Sequence, residues 1–112
     1  MNKVYWILND TLGGGDPELG KLLMEKYLYA LARADEKPAK LIFMNAGVHL
    51  TCEGSPVLDD LKLLVEKGVA ISTCGTCLDF YKLREQLAVG VAGNMDGAVG
   101  SMLAADDVVV LR

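Results

Sequence analysis

The sequence predicts an α/β domain, a three-layer α/β/α sandwich around a five-stranded, mainly parallel sheet. Three observations lead there. Short runs of β-forming residues alternate with helical segments along the whole 112-residue chain. Those runs are apolar at consecutive positions, as in Val108-Val109-Val110, which fits strands covered on both faces. The pairs Asp16-Pro17 and Ser55-Pro56 each read as a helix cap followed by proline in the first turn. The length suits one domain, residues 1–112, and a hydrophobic content of 52% is ample for a packed core.

The first strand is expected at Lys3 to Asn9, where Val4, Tyr5, Trp6, Ile7 and Leu8 form a β-rich run. A glycine-rich loop then leads into a helix from Pro17 to Ala34. Its core stripe reads as Leu19, Leu22, Leu23, Tyr27, Ala30 and Leu31. Met24 and Leu28 lie beside that stripe, placed either to cover the sheet margin or to meet another subunit. A second strand, Ala39 to Met44, follows the break at Lys37-Pro38. After a loop from Asn45 to Gly54, a second helix runs to Lys67, with Val57, Leu58, Leu61, Leu64 and Val65 on one face and Gly68 to end it. The third strand is Val69 to Thr73, and a third helix spans Leu78 to Leu87 with Tyr81 and Leu83 in its stripe. A short strand from Val89 to Ala92, a helix from Met95 to Ala105 capped by Asn94, and a strand from Asp107 to Leu111 complete the order. Right-handed crossovers bring every strand-to-helix loop to one sheet edge, which makes that edge the default site.

Net charge is -4 and the pI is about 4.8, with Lys and Arg scattered rather than striped. Nucleic-acid binding is therefore not expected, since neutralising phosphates supplies most of that affinity. No apolar run approaches a membrane span, and the N-terminal stretch is too short for a secretory signal. A cytoplasmic protein without membrane contact is expected. Three cysteines do not make a disulfide framework, and in a reducing compartment a Cys-x-x-Cys pair is more often catalytic or metal-binding.

That pair, Cys74-Gly75-Thr76-Cys77, is the most informative feature. It stands at the end of a strand and the start of a helix, where a thiol meets the sheet's carboxyl edge and the positive end of the helix dipole. Sulfur chemistry or metal binding is the expectation. Cys74, in the turn, reads as the nucleophile, and Cys77, in the first helical turn, as its resolving or modulating partner. Asn45, Gly47, Gly75 and Thr76 are expected to shape the pocket, with Gly14 and Gly15 as part of a lid and Asn94 and Met95 from a neighbouring loop.

Other chemistries fit less well. A thioredoxin reading lacks a proline downstream of the pair, the last being Pro56. His49-x-x-Cys52 together with Cys74-x-x-Cys77 could complete a tetrahedral zinc site of three thiolates and one imidazole. Gly13-Gly14-Gly15-Asp16 lacks both the Gly-x-Gly-x-x-Gly and the P-loop pattern, and Asp16 would repel an anion. No nucleophile elbow exists for a serine hydrolase. Asp59-Asp60 and Asp106-Asp107 read as solvated residues. No cofactor is expected.

Taken together, Gly15-Asp16-Pro17-Glu18-Leu19-Gly20, Phe43-Met44-Asn45-Ala46-Gly47-Val48, Glu53-Gly54-Ser55, Lys67-Gly68-Val69, Cys74-Gly75-Thr76-Cys77-Leu78-Asp79 and Gly93-Asn94-Met95 resemble the DsrE/DsrF-like superfamily of sulfur-handling proteins. The chain is most similar to the DsrE-like domain of the YedF proteins, associated with selenium metabolism. The resemblance implies a homo-oligomeric carrier that holds sulfur, or selenium, as a persulfide on Cys74 in a sulfurtransferase-like relay. Cys77 matches the second cysteine of the Cys-x-x-Cys subgroup. Tyr81-Lys82 stands where relay members have Arg-Gly, which separates this chain from their partners and donors. A TusA-like or other sulfur-carrier protein would have to act in trans. Two other classes stay open: an oligomeric binding module with a structural or zinc-bound Cys pair, and a dithiol redox protein.

Overall fold

The computed structural model describes residues 2–112. Five strands, β1 (Lys3–Ile7), β2 (Lys40–Phe43), β3 (Ala70–Cys74), β4 (Val91–Gly93) and β5 (Asp107–Leu111), form one sheet in the order β4-β3-β2-β1-β5. Every pairing is parallel, so the sheet is wholly rather than mainly parallel. The helices are α1 (Pro17–Arg33), α2 (Leu58–Glu66), α3 (Gly75–Phe80) and α4 (Met95–Ala104), with 3-10 segments at Asn45–Thr51 and Arg84–Gln86.

Several local signals act as the sequence predicts. Asp16 caps α1, its carboxylate accepting from the amides of Glu18 and Leu19, and Pro17 opens the helix. Asn94 caps α4 by accepting from the Gly97 amide. β5 has its expected bounds. Ser55 Oγ accepts from the Val57 amide at 3.2 Å, but α2 starts at Leu58, so Pro56 stands in the lead-in turn rather than in the helix.

The buried face of α1 differs from the expected stripe. Gly20, Met24, Leu28 and Ala32 face the core, whereas Leu19 is 53% exposed and Leu22 47%. Met24 and Leu28 are therefore central core residues, which removes the subunit-contact reading for both. The helix carries two apolar arcs, and the one with a glycine wins. A Cβ on Gly20 would stand 2.9 Å from Thr11 Cβ, and the Gly20 carbonyl accepts from the Leu12 amide, so only this arc allows the helix start to close on the loop.

α3 also differs, beginning and ending earlier than Leu78 to Leu87. Leu83 donates to the Leu78 carbonyl and Lys82 to that of Asp79, with Lys82 at φ 59. This is a Schellman termination with lysine in the left-handed position that usually holds glycine. α2 ends in the same motif with Gly68 at φ 93.

The main core joins α1 and α2 to one sheet face through Tyr5, Ile7, Leu41, Phe43 and Ile71. α4 covers the other face, with Ala98 against Val4, Ile42, Met44 and Cys74. Among the described residues no helix is long and apolar enough to cross a membrane.

Candidate functional site

Parallel pairing sets the carboxyl ends of β1, β2 and β3 side by side, and a cleft opens above them. Its volume is about 390 Å³. Leu8, Met44, Phe80 and Tyr81 form apolar walls, and Asn45, Thr76 and Cys77 supply the polar groups. Leu8 follows β1 directly and Met44 follows β2. The other residues come from the 3-10 segment after β2 and from α3 and its C-terminal end.

All three cysteines are free thiols. Cys74 is the cap residue of α3, only 7% exposed, and packs against Val4, Ile42, Met44 and Ala98. Cys77, in the first turn of α3, is half-buried and faces the cleft. The Asn45 amide donates to its Sγ at 3.2 Å. Asn45 has φ 52, and its side-chain oxygen accepts from the Tyr81 hydroxyl at 3.1 Å. Tyr81 in turn meets the His49 ring edge-on, with centroids 4.6 Å apart.

Burial pushes the Cys77 thiol above its ordinary value, and the adjacent Cys74 thiol adds to this. The Asn45 amide pulls in the opposite direction without reversing it. The net direction at Cys77 is thus opposite to the one expected of a thiol at a helix start. α3 has only six residues, and its dipole is correspondingly short.

Two buried threonines anchor the 3-10 segment to β3. Thr51 Oγ1 donates to the Val48 carbonyl at 3.0 Å and accepts from Thr73 Oγ1 at 2.9 Å. Gly47 is required for the same seating, because a Cβ there would run into the Ile7 carbonyl. Gly75 lies beneath the Arg84 guanidinium and the Gly93 carbonyl, with Arg84 donating to the Gly75 carbonyl at 3.2 Å.

Of the pocket residues expected from sequence, Asn45, Thr76 and Cys77 line the cleft. Gly47 and Gly75 do not line it but lie in the segments that carry Asn45 and Cys77. Gly14 and Gly15 stand apart in an exposed loop whose Gly13 amide donates to the Arg112 carbonyl, so they form no lid over the thiols. Asn94 caps α4, and Met95 is exposed on that helix; neither reaches the cleft. Leu8, Met44, Phe80 and Tyr81 were not expected there. The adjacent aromatic pair Phe80-Tyr81 just after the Cys pair was the available signal.

The tetrahedral alternative of His49, Cys52, Cys74 and Cys77 does not assemble. Among the described residues no three His, Cys, Asp or Glu side chains gather as metal ligands. His49 Nδ1 is 3.0 Å from the Ala46 carbonyl, and Cys52 is buried with Val48 and Leu78. A second cleft, about 480 Å³, runs past Cys52 and His49 and is bordered by Asp10, Lys21, Glu25 and Glu53.

No family model matches the chain, and no curated protein matches its sequence. Solved structures do match its fold. The YchN protein of E. coli superposes with a TM-score of 0.73 at 21% identity, over 99% of this chain and 100% of that one. MTH1491 of Methanobacterium thermoautotrophicum, a protein of unknown function, gives 0.63 at 16%, over 96% and 97%. BT1422 of Bacteroides thetaiotaomicron, also of unknown function, gives 0.65 at 11%, over 98% and 95%. The chain is thus a small α/β/α protein with the DsrE-like fold. Its particular features are the paired free thiols and the cleft beside them.

Proposed function

We propose that this protein is a persulfide carrier of sulfurtransferase-like type, with the Cys74/Cys77 pair as its working group. The observation that carries the proposal is the Cys77 sulfur at the wall of a cleft, with the Asn45 amide 3.2 Å away. An anionic sulfur at that position has a fixed donor, and charge-assisted bonds of this kind are the stronger ones. The DsrE-like fold and the Cys-Gly-Thr-Cys segment support the same reading.

Access reverses the roles expected of the two thiols. Cys77 meets the incoming sulfur, while Cys74, packed behind it, acts as its partner. Cys77 is largely neutral at rest, which protects it from stray oxidation. For onward transfer, an acceptor thiolate attacks the outer sulfur of Cys77–S–SH. The acceptor gains the hydropersulfide, and Cys77 leaves as thiolate. The acceptor in this account is a separate TusA-like or comparable carrier, in a reducing compartment such as the cytoplasm. Selenium would follow the same bond changes.

We also propose that the carrier is a homo-oligomer. α4 buries only Ala98, and its outer face leaves Val99 49% and Leu103 83% exposed. Sedimentation of the wild type beside Leu103→Asp tests this, with a shift to monomer expected in the variant.

The carrier role is tested by loading the native protein with a sulfane-sulfur donor and weighing it beside Cys74→Ser and Cys77→Ser. Uptake of sulfur that survives in Cys74→Ser and disappears in Cys77→Ser is expected. A reversible disulfide formed without sulfur uptake would favour the dithiol redox reading instead, which the adjacency of the two thiols also supports.

A further inference from the structure

We infer that the cleft beside Cys77 selects small, uncharged, apolar reactants, so that its sulfur donor is an organic hydropersulfide, taken in its neutral R–S–SH form, rather than an inorganic anion such as thiosulfate. The donor's identity rests on the carrier reading above; the selectivity of the cleft does not.

No Lys, Arg, His, Asp or Glu lines this cleft. The contrast with the neighbouring cleft is sharp, since that one is bordered by Asp10, Lys21, Glu25, Glu53 and His49. The two cations that follow α3, Lys82 and Arg84, both border a different depression. Arg84 holds both carboxylate oxygens of Asp79, at 2.6 and 3.1 Å, as well as the Gly75 carbonyl. An anion entering the thiol cleft would give up hydration for the Asn45 amide and a few neutral polar groups, with no cation to meet it. The net charge of -4 opposes it further. An apolar R group, by contrast, finds Leu8, Met44 and Phe80, the last 80% exposed. The volume of about 390 Å³ falls in the range of small-molecule sites.

The step balances without an added oxidant. Cys77 first gives its proton to water; its thiolate then attacks the outer sulfur of R–S–SH, and a new S–S bond forms as the donor's S–S bond breaks. The electron pair leaves on R–S⁻, which takes a proton from water, and Cys77 becomes Cys77–S–SH.

The test uses Cys52→Ser/Cys74→Ser protein, so that only Cys77 reacts. Three methanethiosulfonates with a common leaving group are compared: benzyl (neutral), sulfonatoethyl (anionic) and trimethylammonioethyl (cationic). Each rate is divided by the rate for the same protein unfolded in urea. The neutral reagent should be favoured over the anionic one by about tenfold or more, equivalent to about 1.4 kcal/mol. Phe80→Lys, a change at an exposed position, should bring the anionic reagent at least to parity. Equal normalised rates, or a preference for the anion in the parent protein, would overturn the inference. Sulfur uptake from benzyl hydropersulfide and from thiosulfate is then followed by mass. If the charge preference holds but no sulfur is taken up, the carrier reading fails while the selectivity of the cleft stands.

Discussion

Replacing Lys82 by glycine should stabilise this protein, although lysine is the better helix former and glycine the more flexible residue. Lys82 sits at φ 59 at the end of α3, in the same six-residue hydrogen-bonded closure that Gly68 makes at φ 93 after α2. A left-handed backbone costs a non-glycine residue roughly 1–2 kcal/mol. Glycine's greater freedom in the unfolded chain offsets roughly 0.5–1 kcal/mol of that gain. The Lys82 side chain is exposed, and among the described residues it makes no hydrogen bond that would be lost. Lys82→Gly should therefore add about 0.5–1 kcal/mol, or about 2–5 °C in Tm for a domain of this size. The mirror experiment is Gly68→Ala, where a Cβ meets nothing within 4 Å. Any loss there is conformational, and about 1 kcal/mol is expected. Urea unfolding followed by circular dichroism measures both. A destabilised Lys82→Gly alongside a destabilised Gly68→Ala would refute the reasoning, because the two closures would then not be equivalent.

Other consequences follow from the same structure. Thr73→Val removes one buried hydrogen bond and should cost about 1 kcal/mol, whereas Thr51→Val strands both the Val48 carbonyl and the Thr73 hydroxyl and should cost about 2–3 kcal/mol. The double variant should cost less than the sum of the two, as a urea-based cycle will show; strict additivity would mean that the hydroxyls are not paired. Gly47→Ala forces a methyl group against the Ile7 carbonyl, displacing the segment that carries Asn45. It should both destabilise the protein and alter the rate of Cys77 alkylation, and an unchanged rate would separate Gly47 from the site. For Cys77 itself, the alkylation rate should rise with a midpoint above the ordinary thiol value of 9.0, and a midpoint below it would contradict the assignment of burial as the dominant influence. The Tyr5 phenol is likewise raised, by burial and by its hydrogen bond to Tyr27. Both groups bind their protons more tightly in the folded state. Their contribution to stability is thus complete below the ordinary thiol range and is lost as pH rises through the raised values. Tyr5→Phe should flatten the alkaline end of the stability profile, and an unaltered profile would exclude this linkage.

Much of the architecture was readable because its signals are local. Asp16-Pro17, Gly68 and Asn94 each act within one turn of chain, and strands apolar on both faces imply cover on both sides. The face of α1 was not readable, because its leucines and its Gly20–Met24–Leu28–Ala32 row both have helical spacing. Close approach at Gly20, which depends on a loop folding back, selects between them. The 3-10 segment from Asn45 to Thr51 has no hydrophobic period to announce it. Its threonine pair joins positions 22 residues apart. The site was half legible for the same reason. The Cys-x-x-Cys pair stands out in one dimension, but the amide that meets Cys77 belongs to Asn45, 32 residues earlier. The order of the two thiols depends on burial. At a strand–helix junction the first cysteine turns into the core, and the second, three residues on, faces the loop edge.

The most direct measurement is intact mass spectrometry of the native protein after exposure to benzyl hydropersulfide, beside Cys74→Ser and Cys77→Ser. The account predicts a gain of sulfur in the wild type and in Cys74→Ser, and none in Cys77→Ser. Sulfur retained by Cys77→Ser and lost from Cys74→Ser would contradict the assignment of the receiving thiol. No gain in any of the three, from this donor or from thiosulfate, would contradict the carrier itself.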